Sequence, residues 1–158
     1  KSMIKLLFVC LGNICRSPTA EGVMQHLLDQ AGLAQQVLVD SAGTSGHHVG
    51  EAADERMRSH ALERGLELTS RSRKLVAKDF QEFDYILVMD QSNFDDAAAL
   101  VAEGPLRSKI HLFTDYCLSS RVSSVPDPYY GGEAGFERVL DIVEDAAKGL
   151  LAHLKTKM

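Results

Sequence analysis

Alternating strands and helices predict that this chain folds as a single α/β domain, with a four-stranded parallel sheet and helices on both faces. Short apolar runs recur along the 158 residues, and segments with apolar residues at helical spacing lie between them. The composition, 45% hydrophobic and 25% charged, suits one globular core. One domain over residues 1–158 is therefore expected, with Lys1 and Ser2 as additions ahead of a native start at Met3.

The first half of the chain is predicted to contain two strands and two helices. Residues 4–9 are a short, mainly apolar run of strand length, and a second strand follows at 37–39. The segment between them, 18–31, is predicted to be a helix, which completes a βαβ unit. After a loop that contains Gly and His, residues 54–65 carry apolar residues at helical spacing and end at a glycine, which indicates a second helix.

The second half continues the alternation and ends in a long helix. Asp90 directly follows an apolar strand and is placed to cap the next helix. Segment 114–133 contains two prolines and a pair of glycines and is long for a plain connection, so it is predicted to be a functional loop. The predicted elements are a short helix at 77–83, a strand at 85–89, a helix at 91–102, a strand at 109–113 and a helix at 136–154.

The loop after the first strand has the composition of an anion site. Cys10 ends the strand and Arg16 closes the loop, with Gly12 and Asn13 between them, both tolerant of a left-handed backbone. Such a loop can turn its N–H groups inward around a phosphate. A Walker loop is excluded because no Lys follows the glycine. The predicted phosphate-binding loop after strand 1 comprises Leu11, Gly12, Asn13, Ile14, Cys15, Arg16 and Ser17.

The start of the following helix is expected to strengthen this anion site. Ser17 is predicted as the N-cap and Pro18 as part of the first turn, with Glu21 close to the free N–H groups. A helix N-terminus and the guanidinium of Arg16 both favour negative charge. Cys10 is therefore expected to act as a thiolate nucleophile, while Arg16 offers parallel N–H donors to phosphoryl oxygens.

Displacement of an alkoxide or phenoxide from phosphorus also needs a proton donor. Asp127 lies between Pro126 and Pro128, which restrict its backbone and favour one direction for the carboxyl group. An Asp-Pro pair by itself is more often part of a turn. In combination with the Cys10 loop, Asp127 is predicted to be the general acid.

Four segments of the chain resemble those of low-molecular-weight protein tyrosine phosphatases. The runs from Cys10 to Pro18 and from Asp127 to Gly131 carry most of the resemblance, and residues 40–44 and 84–93 add to it. The resemblance covers nearly the whole chain. It implies hydrolysis of phosphotyrosine in protein substrates through a phosphocysteine intermediate, with Asp127 as acid and then base. It also implies that inorganic phosphate and other oxyanions inhibit.

The resemblance further assigns roles to residues around the catalytic ones. Asn13, Ser17 and Ser41 match positions that support the loop by hydrogen bonds, the alternative being simple capping. Leu11, Tyr129 and Tyr130 match the walls of the substrate pocket, the alternative for the tyrosines being packing against the body of the protein. His47 stands where the family usually has a larger aromatic residue, so this wall is expected to be altered.

Cys15 is the second thiol of the loop and has two possible roles. In the family such a pair can close into a disulfide that protects the nucleophile from over-oxidation, which makes Cys15 a candidate redox partner of Cys10. The alternative is that Cys15 only packs in the core. Cys117 has no evident partner and is expected to be structural.

Other functions are less consistent with the sequence. Thiol-coupled arsenate reductases share the loop but need further cysteines near the helix at 91–103, which has none. A silent phosphate-binding module is expected to lack the thiol, the arginine or the acid. Relatives specific for phosphoarginine tend to have a small polar residue where this chain has Leu11 and Ile14.

Composition also limits the partners. The net charge of −5 argues against nucleic acid, and no apolar run is long enough to span a membrane. No signal peptide precedes the first strand, and three cysteines do not suggest a disulfide framework, so a cytoplasmic location is expected. Two neighbouring histidines without a third ligand do not make a metal site. The expected protein is a monomer that needs no metal and no cofactor.

Overall fold

The four strands form one parallel sheet in the order β2-β1-β3-β4, which confirms the predicted fold class. The structure is a computed structural model that describes residues 3–102, 104–128 and 132–158. Within these ranges the sheet consists of β1 (Ile4–Cys10), β2 (Val37–Gly43), β3 (Tyr85–Val88) and β4 (Ile110–Leu112). Because β1 pairs with β2 on one side and β3 on the other, its carboxyl end lies at the point where strand order reverses, a common place for ligands.

Five helices are described, and all of their boundaries except the start of the fourth helix differ by one to four residues from the sequence-based prediction. The fourth helix ends before the predicted residue 102, and the last helix begins before the predicted residue 136. The first helix begins two residues before Pro18. The helices are α1 (Arg16–Gln30), α2 (Glu55–Glu63), α3 (Asp79–Glu82), α4 (Gln91–Ala98) and α5 (Gly132–Lys155), and the two short 3₁₀ turns are Arg107–Lys109 and Phe113–Tyr116.

Alternate side chains of β1 enter two different cores. Leu6 and Phe8 belong to the core under α1 and α5, whereas Leu7 and Val9 belong to the core under α3 and α4. All four side chains are fully buried. This alternation follows from the period of two in a strand with helices on both faces, and it explains why residues 6–10 of the first strand are all apolar.

Helix α5 packs unusually closely against the chain that follows β4. A Cβ atom at Gly149 would lie only 1.7 Å from the carbonyl oxygen of Tyr116, so only glycine permits this approach. The contact fixes the start of the long segment that leads to Asp127.

Candidate active site

A cleft of about 450 Å³ opens where β1 turns into α1. The segment from Cys10 to Arg16 is called the phosphate loop below. Asp127 lines the same cleft, although it lies far along the chain from Cys10. The residues that line it are Cys10, Leu11, Gly12, Ile14, Cys15, Arg16, Ser45, His47, His48 and Asp127.

The carbonyl groups of the phosphate loop are held by hydrogen bonds from three segments that surround it. These segments follow β2, precede α2 and precede α3. Because the carbonyls are occupied in this way, the peptide planes of the loop are fixed. The donors are Thr44 N–H to Cys10 at 2.9 Å, Ser45 N–H to Leu11 at 2.9 Å, the Ser72 hydroxyl to Gly12 at 2.9 Å and Asp54 N–H to Ile14 at 2.7 Å.

The N–H groups of the loop are available to an anion. Within residues 3–102, 104–128 and 132–158, the backbone N–H groups of Leu11, Gly12, Ile14 and Cys15 have no hydrogen-bond acceptor. The N–H of Asn13 donates to the sulfur of Cys10 at 3.2 Å. Successive N–H groups of this kind can form a concave anion site.

Asn13 has the left-handed backbone conformation that the sequence allowed for both Gly12 and Asn13. Its φ is 57°, the only positive φ outside glycine in the described residues. Its side chain is buried, donates to the Ser17 hydroxyl at 2.8 Å and accepts from the Arg73 N–H at 3.0 Å. Asn13 therefore ties the loop to both α1 and the segment before α3.

The hydroxyl of Ser17 faces the sulfur of Cys10 at 3.0 Å. Since the Asn13 amide donates to this hydroxyl, its proton can be directed to the sulfur. The prediction that Ser17 is the N-cap of α1 is wrong, because Cys15 occupies that position. The carbonyl of Cys15 accepts from Thr19 N–H at 3.2 Å, so the helix begins directly at the end of the loop.

Glu21 and Ser41 lie behind the phosphate loop. The Ser41 hydroxyl donates to the Glu21 carboxyl group at 2.5 Å, so it is directed at α1 and makes no hydrogen bond to the loop in the described part of the chain. Burial raises the pKa of Glu21 above its ordinary value, and the hydrogen bond from Ser41 opposes this shift. Glu21 does not take the predicted place near the free N–H groups of the first turn.

Arg16 is buried and is oriented by two acceptors. Its Nη1 donates to Asp90 at 2.7 Å and to the carbonyl of Val125 at 3.0 Å. Asp90 also caps α4 as predicted, because it accepts from the N–H of Asn93 at 2.7 Å. Both contacts of the guanidinium use one nitrogen, which leaves its remaining donors for a ligand in the cleft.

Asp127 is exposed, and it lies two residues after Val125, whose backbone is fixed by hydrogen bonds. Val125 is buried, and its N–H donates to the carbonyl of Met89 at 2.8 Å, just beyond the end of β3. Its own carbonyl accepts from Arg16, so the same residue connects the acid to the phosphate loop. Tyr129 and Tyr130, the predicted pocket walls, lie outside the described residues.

Two histidines and an apolar side chain line the opening of the cleft. Leu11 is 50% exposed, and His47 is exposed beside it in the lining. The ring of His48 lies against Gly12, where a Cβ atom would be 3.0 Å from the ring. Its Nδ1 is 2.9 Å from Glu51. His48 was not predicted as a lining residue, since only His47 matches the aromatic position of the resemblance.

The two thiols of the phosphate loop have different surroundings. Both cysteines are reduced and buried. Burial raises the pKa of Cys15 to about 12, and the nearby charges of Asp54, Cys10 and Asp127 act in the same direction. Cys15 is therefore protonated at neutral pH, whereas the sulfur of Cys10 receives hydrogen bonds suited to a negative charge.

Sequence reasoning missed the segment that supports the loop from below. Besides the donors from Ser72 and Arg73, the Arg73 guanidinium pairs with Asp79 through two contacts of 3.1 Å and with Asp40. These bonds fix the segment against β2. The only sequence signal is the polar run at 70–74, which does not specify what it contacts.

No described helix is long and apolar enough to cross a membrane. Among the described residues there is also no group of three or more His, Cys, Asp or Glu side chains arranged to hold a metal ion.

The chain is similar to known proteins both in sequence and in structure. The family model described as low molecular weight phosphotyrosine protein phosphatase matches residues 5–158. A protein of Synechocystis that carries the name low molecular weight protein-tyrosine-phosphatase is 48% identical over 96% of each chain. A crystal structure of a protein tyrosine phosphatase from Entamoeba histolytica, with Hepes in its active site, superposes with a TM-score of 0.94 at 46% identity, over 98% of each chain. A Drosophila arginine phosphatase superposes with a TM-score of 0.87 at 35% identity, over 96% of this chain and 98% of that one.

Proposed function

The chain belongs to the low molecular weight phosphotyrosine protein phosphatase family, a family of cysteine-dependent hydrolases, and from this premise we propose that it hydrolyses phosphotyrosine monoesters in protein substrates. The observation that carries the proposal is the single cleft lined by Cys10, Arg16 and Asp127. A nucleophile, a cation for phosphoryl oxygens and a proton donor are the three groups that this reaction needs.

In the first step the Cys10 thiolate attacks phosphorus and the ester P–O bond breaks. The negative charge on the phosphoryl oxygens is stabilised by the loop N–H groups and by Arg16. Asp127 gives its proton to the leaving phenolate oxygen, which departs as tyrosine. The product is a phosphocysteine at Cys10 and an ionised Asp127.

In the second step a water molecule attacks the phosphocysteine. Asp127, now a carboxylate, accepts a proton from the water, and the P–S bond breaks to return the Cys10 thiolate. Inorganic phosphate is released and the acid is again protonated. Because phosphate and similar oxyanions fit the same loop, they are expected to inhibit in competition with substrate.

The substrate preference follows from the rim of the cleft. Leu11 and Ile14 present apolar surface beside the phosphate loop, which suits a phenyl ring. His47 supplies a smaller ring than the usual aromatic residue of the family, and Tyr129 and Tyr130 complete the proposed pocket wall. Asn13 and Ser17 support the loop in this proposal, and Ser41 acts behind it through Glu21.

The decisive experiment replaces the nucleophile. Cys10→Ser is expected to lower turnover of p-nitrophenyl phosphate and of a phosphotyrosyl peptide by more than about 10³-fold, since the hydroxyl is a far weaker nucleophile at this site. The matched control is Cys117→Ser, a half-buried thiol outside the cleft lining, which is expected to keep most of its turnover of p-nitrophenyl phosphate. Retained turnover in Cys10→Ser would show that the nucleophile is another group.

The role of the acid is tested by varying the leaving group. Asp127→Ala is expected to lower kcat/KM strongly for phenyl and alkyl phosphates and less for p-nitrophenyl phosphate, because nitrophenolate departs without a proton. Asp115→Ala, an exposed aspartate outside the lining, serves as the control. Equal losses on all esters would contradict a proton-donating role.

Because the chain is similar in structure to an arginine phosphatase, phosphoarginine is tested as a second substrate in the same assay. A phosphoarginine peptide is expected to be hydrolysed more slowly than the phosphotyrosyl peptide, because the apolar side chains of Leu11 and Ile14 suit a phenyl ring better than a guanidinium group. If the phosphoarginine peptide is hydrolysed faster, the proposed substrate is phosphoarginine and not phosphotyrosine.

Cys15 is the proposed redox partner of Cys10. Peroxide converts the Cys10 thiolate to a sulfenic acid, and attack by Cys15 forms a disulfide and releases water. Since the pKa of Cys15 is about 12, its thiolate is scarce at neutral pH, and the disulfide is expected to form faster as the pH rises from 7 to 9. Mass mapping after peroxide treatment measures this, and the absence of a Cys10–Cys15 linkage would refute the redox role.

A further inference from the structure

The segment that carries Asp127 contains no helix or strand of its own. Residues 118–128, called the acid loop below, follow the 3₁₀ turn Phe113–Tyr116 and contain no regular element from 118 to 127. The direction of the Asp127 carboxyl group therefore depends on contacts between this loop and the rest of the molecule. Val125 provides the contact near the acid, through its bonds to Met89 and Arg16.

A single carboxylate holds the other end of the acid loop. Asp145, on α5, accepts hydrogen bonds from three consecutive backbone N–H groups. They are Leu118 at 2.8 Å, Ser119 at 3.1 and 3.2 Å through both oxygens, and Ser120 at 2.6 Å. Three successive N–H groups around one anion leave the backbone little freedom.

The charge of Asp145 is stable under the conditions in which the enzyme would work. Burial opposes ionisation, but the hydrogen bonds from Ser120, Leu118 and Ser119 outweigh it and lower the pKa of Asp145 to about 2. The carboxylate is therefore ionised throughout the neutral and mildly acidic range. The hydrogen bonds from the acid loop to this carboxylate are therefore expected to persist in this pH range.

From this geometry we propose that Asp145 is a positioning residue that keeps Asp127 at the leaving-group side of the cleft by holding the start of the acid loop. The inference rests on the proposed role of Asp127 as general acid. Only a short stretch separates Ser120 from Asp127, and within it Val122 packs against the core while Val125 bonds to Arg16. Movement at residues 118–120 is thus transmitted to the acid.

Removal of the carboxylate leaves three N–H groups to water and frees the start of the loop. The remaining contacts of the acid loop, the bonds of Val125 among them, must then hold the acid against a larger conformational entropy. Cleavage of esters with poor leaving groups becomes slower, because it needs the proton of Asp127 close to the leaving oxygen. In residues 3–102, 104–128 and 132–158 no hydrogen bond joins the phosphate loop to Asp145, so binding and attack at phosphorus are expected to be unaffected.

The experiment measures kcat/KM, which reports the steps through the first P–O cleavage, for Asp145→Ala and Asp145→Asn. We expect Asp145→Ala to lose about 10-fold on phenyl phosphate and less than about 2-fold on p-nitrophenyl phosphate, with Asp145→Asn between it and the parent. Asp141→Asn is the matched control, since that acid lies one turn away on α5 and pairs with Arg64. It is expected to behave as the parent on both esters.

The double variant Asp127→Ala/Asp145→Ala separates positioning from a structural role. If Asp145 acts through Asp127, the second substitution adds no further loss on phenyl phosphate to that of Asp127→Ala. A further loss of about 10-fold, or an equal loss on both esters in the single variant, or no loss at all, would overturn the inference.

Hydrogen exchange of residues 121–128 provides a readout that does not depend on activity. Asp145→Ala is expected to exchange faster there while the protection of β1 and α1 is unchanged. Unchanged exchange would overturn the inference even if the parent is an active phosphatase. Faster exchange in a chain that hydrolyses no phosphotyrosine would retain the anchor and reject the proposed function instead.

Discussion

The phosphate loop and the acid loop meet in one cleft but are held in opposite ways. The phosphate loop is short, and hydrogen bonds with four parts of the chain fix its carbonyls and the side chain of Asn13. The acid loop carries an exposed Asp127, and in the described part of the chain Val125 and Asp145 connect its backbone to the rest of the molecule. The cleft therefore combines an anion site that is bonded along its whole length with a proton donor on a loop that is bonded at two places.

The difference corresponds to the two tasks. Binding a phosphoryl group and stabilising its transition state require donors fixed before the substrate arrives, since reorganisation would reduce their benefit. Protonation of a leaving group requires only that one carboxyl group reach one oxygen. Damage to the phosphate loop should thus impair all esters alike, and damage to the acid loop should impair poor leaving groups selectively.

The largest effect is expected for Arg16→Lys. Lys keeps the charge but loses the parallel donors and cannot bond to both Asp90 and Val125 in the same orientation. We expect kcat/KM to fall by about 10²- to 10³-fold on p-nitrophenyl phosphate and by at least as much on phenyl phosphate, because the bond from Arg16 to Val125 also helps to hold the acid. Steady-state kinetics on both esters checks this, and a loss confined to phenyl phosphate would break the distinction between the loops.

A smaller effect is expected for Asn13→Ala. The variant loses the bonds to Ser17 and Arg73 and places a Cβ residue without a polar side chain at φ 57°. Loss of about 2 kcal/mol, or about 30-fold in kcat/KM, is expected on both esters. Asn13→Gly restores the backbone freedom alone and should lie between Ala and the parent. Equal activity of Gly and Ala variants would show that the left-handed conformation costs nothing here.

Ser72→Ala removes only one of the hydrogen bonds that hold the carbonyls of the phosphate loop. The hydroxyl donates to the Gly12 carbonyl, and its removal leaves that carbonyl without this partner. We expect a loss of about 1 kcal/mol, or about 5-fold in kcat/KM, again independent of the leaving group. Ser59→Ala on the exposed face of α2 is the control and should match the parent. An unchanged Ser72→Ala enzyme would mean that the other bonds hold the loop without it.

The smallest effect concerns stability at low pH. Because the pKa of Asp145 is lowered to about 2, its ionised form stabilises the fold above its ordinary pKa of 3.8, and this contribution is lost as the pH falls towards 2. Since the carboxylate is partly exposed, the contribution is less than about 2 kcal/mol. Urea unfolding of the parent and Asp145→Asn should differ at pH 5 and converge near pH 2. A constant difference would show that Asp145 does not titrate with folding.

The elements that the sequence predicted well are those with a strong local pattern. β1 is apolar at every residue except Lys5, and Asp90 follows a strand and precedes a helix, so both were predicted from their neighbours in sequence. The prediction that Ser17 is an N-cap also came from its neighbours in sequence, and it was wrong. The Ser17 hydroxyl instead makes hydrogen bonds with Cys10 and Asn13 in the phosphate loop. A local rule fails where a tertiary partner takes the same side chain.

By itself the sequence determined the order of strands and helices, the phosphate loop and the candidate nucleophile, cation and acid. These depend on periodicity, on backbone preference and on motifs contiguous in the chain. Only the tertiary structure decided what holds them: Ser72 and Arg73 under the loop, Val125 between Arg16 and Asp127, and Asp145 at the start of the acid loop. Hydrogen bonds between distant segments leave no period in the sequence, since one donor and one acceptor suffice and many residue types supply them.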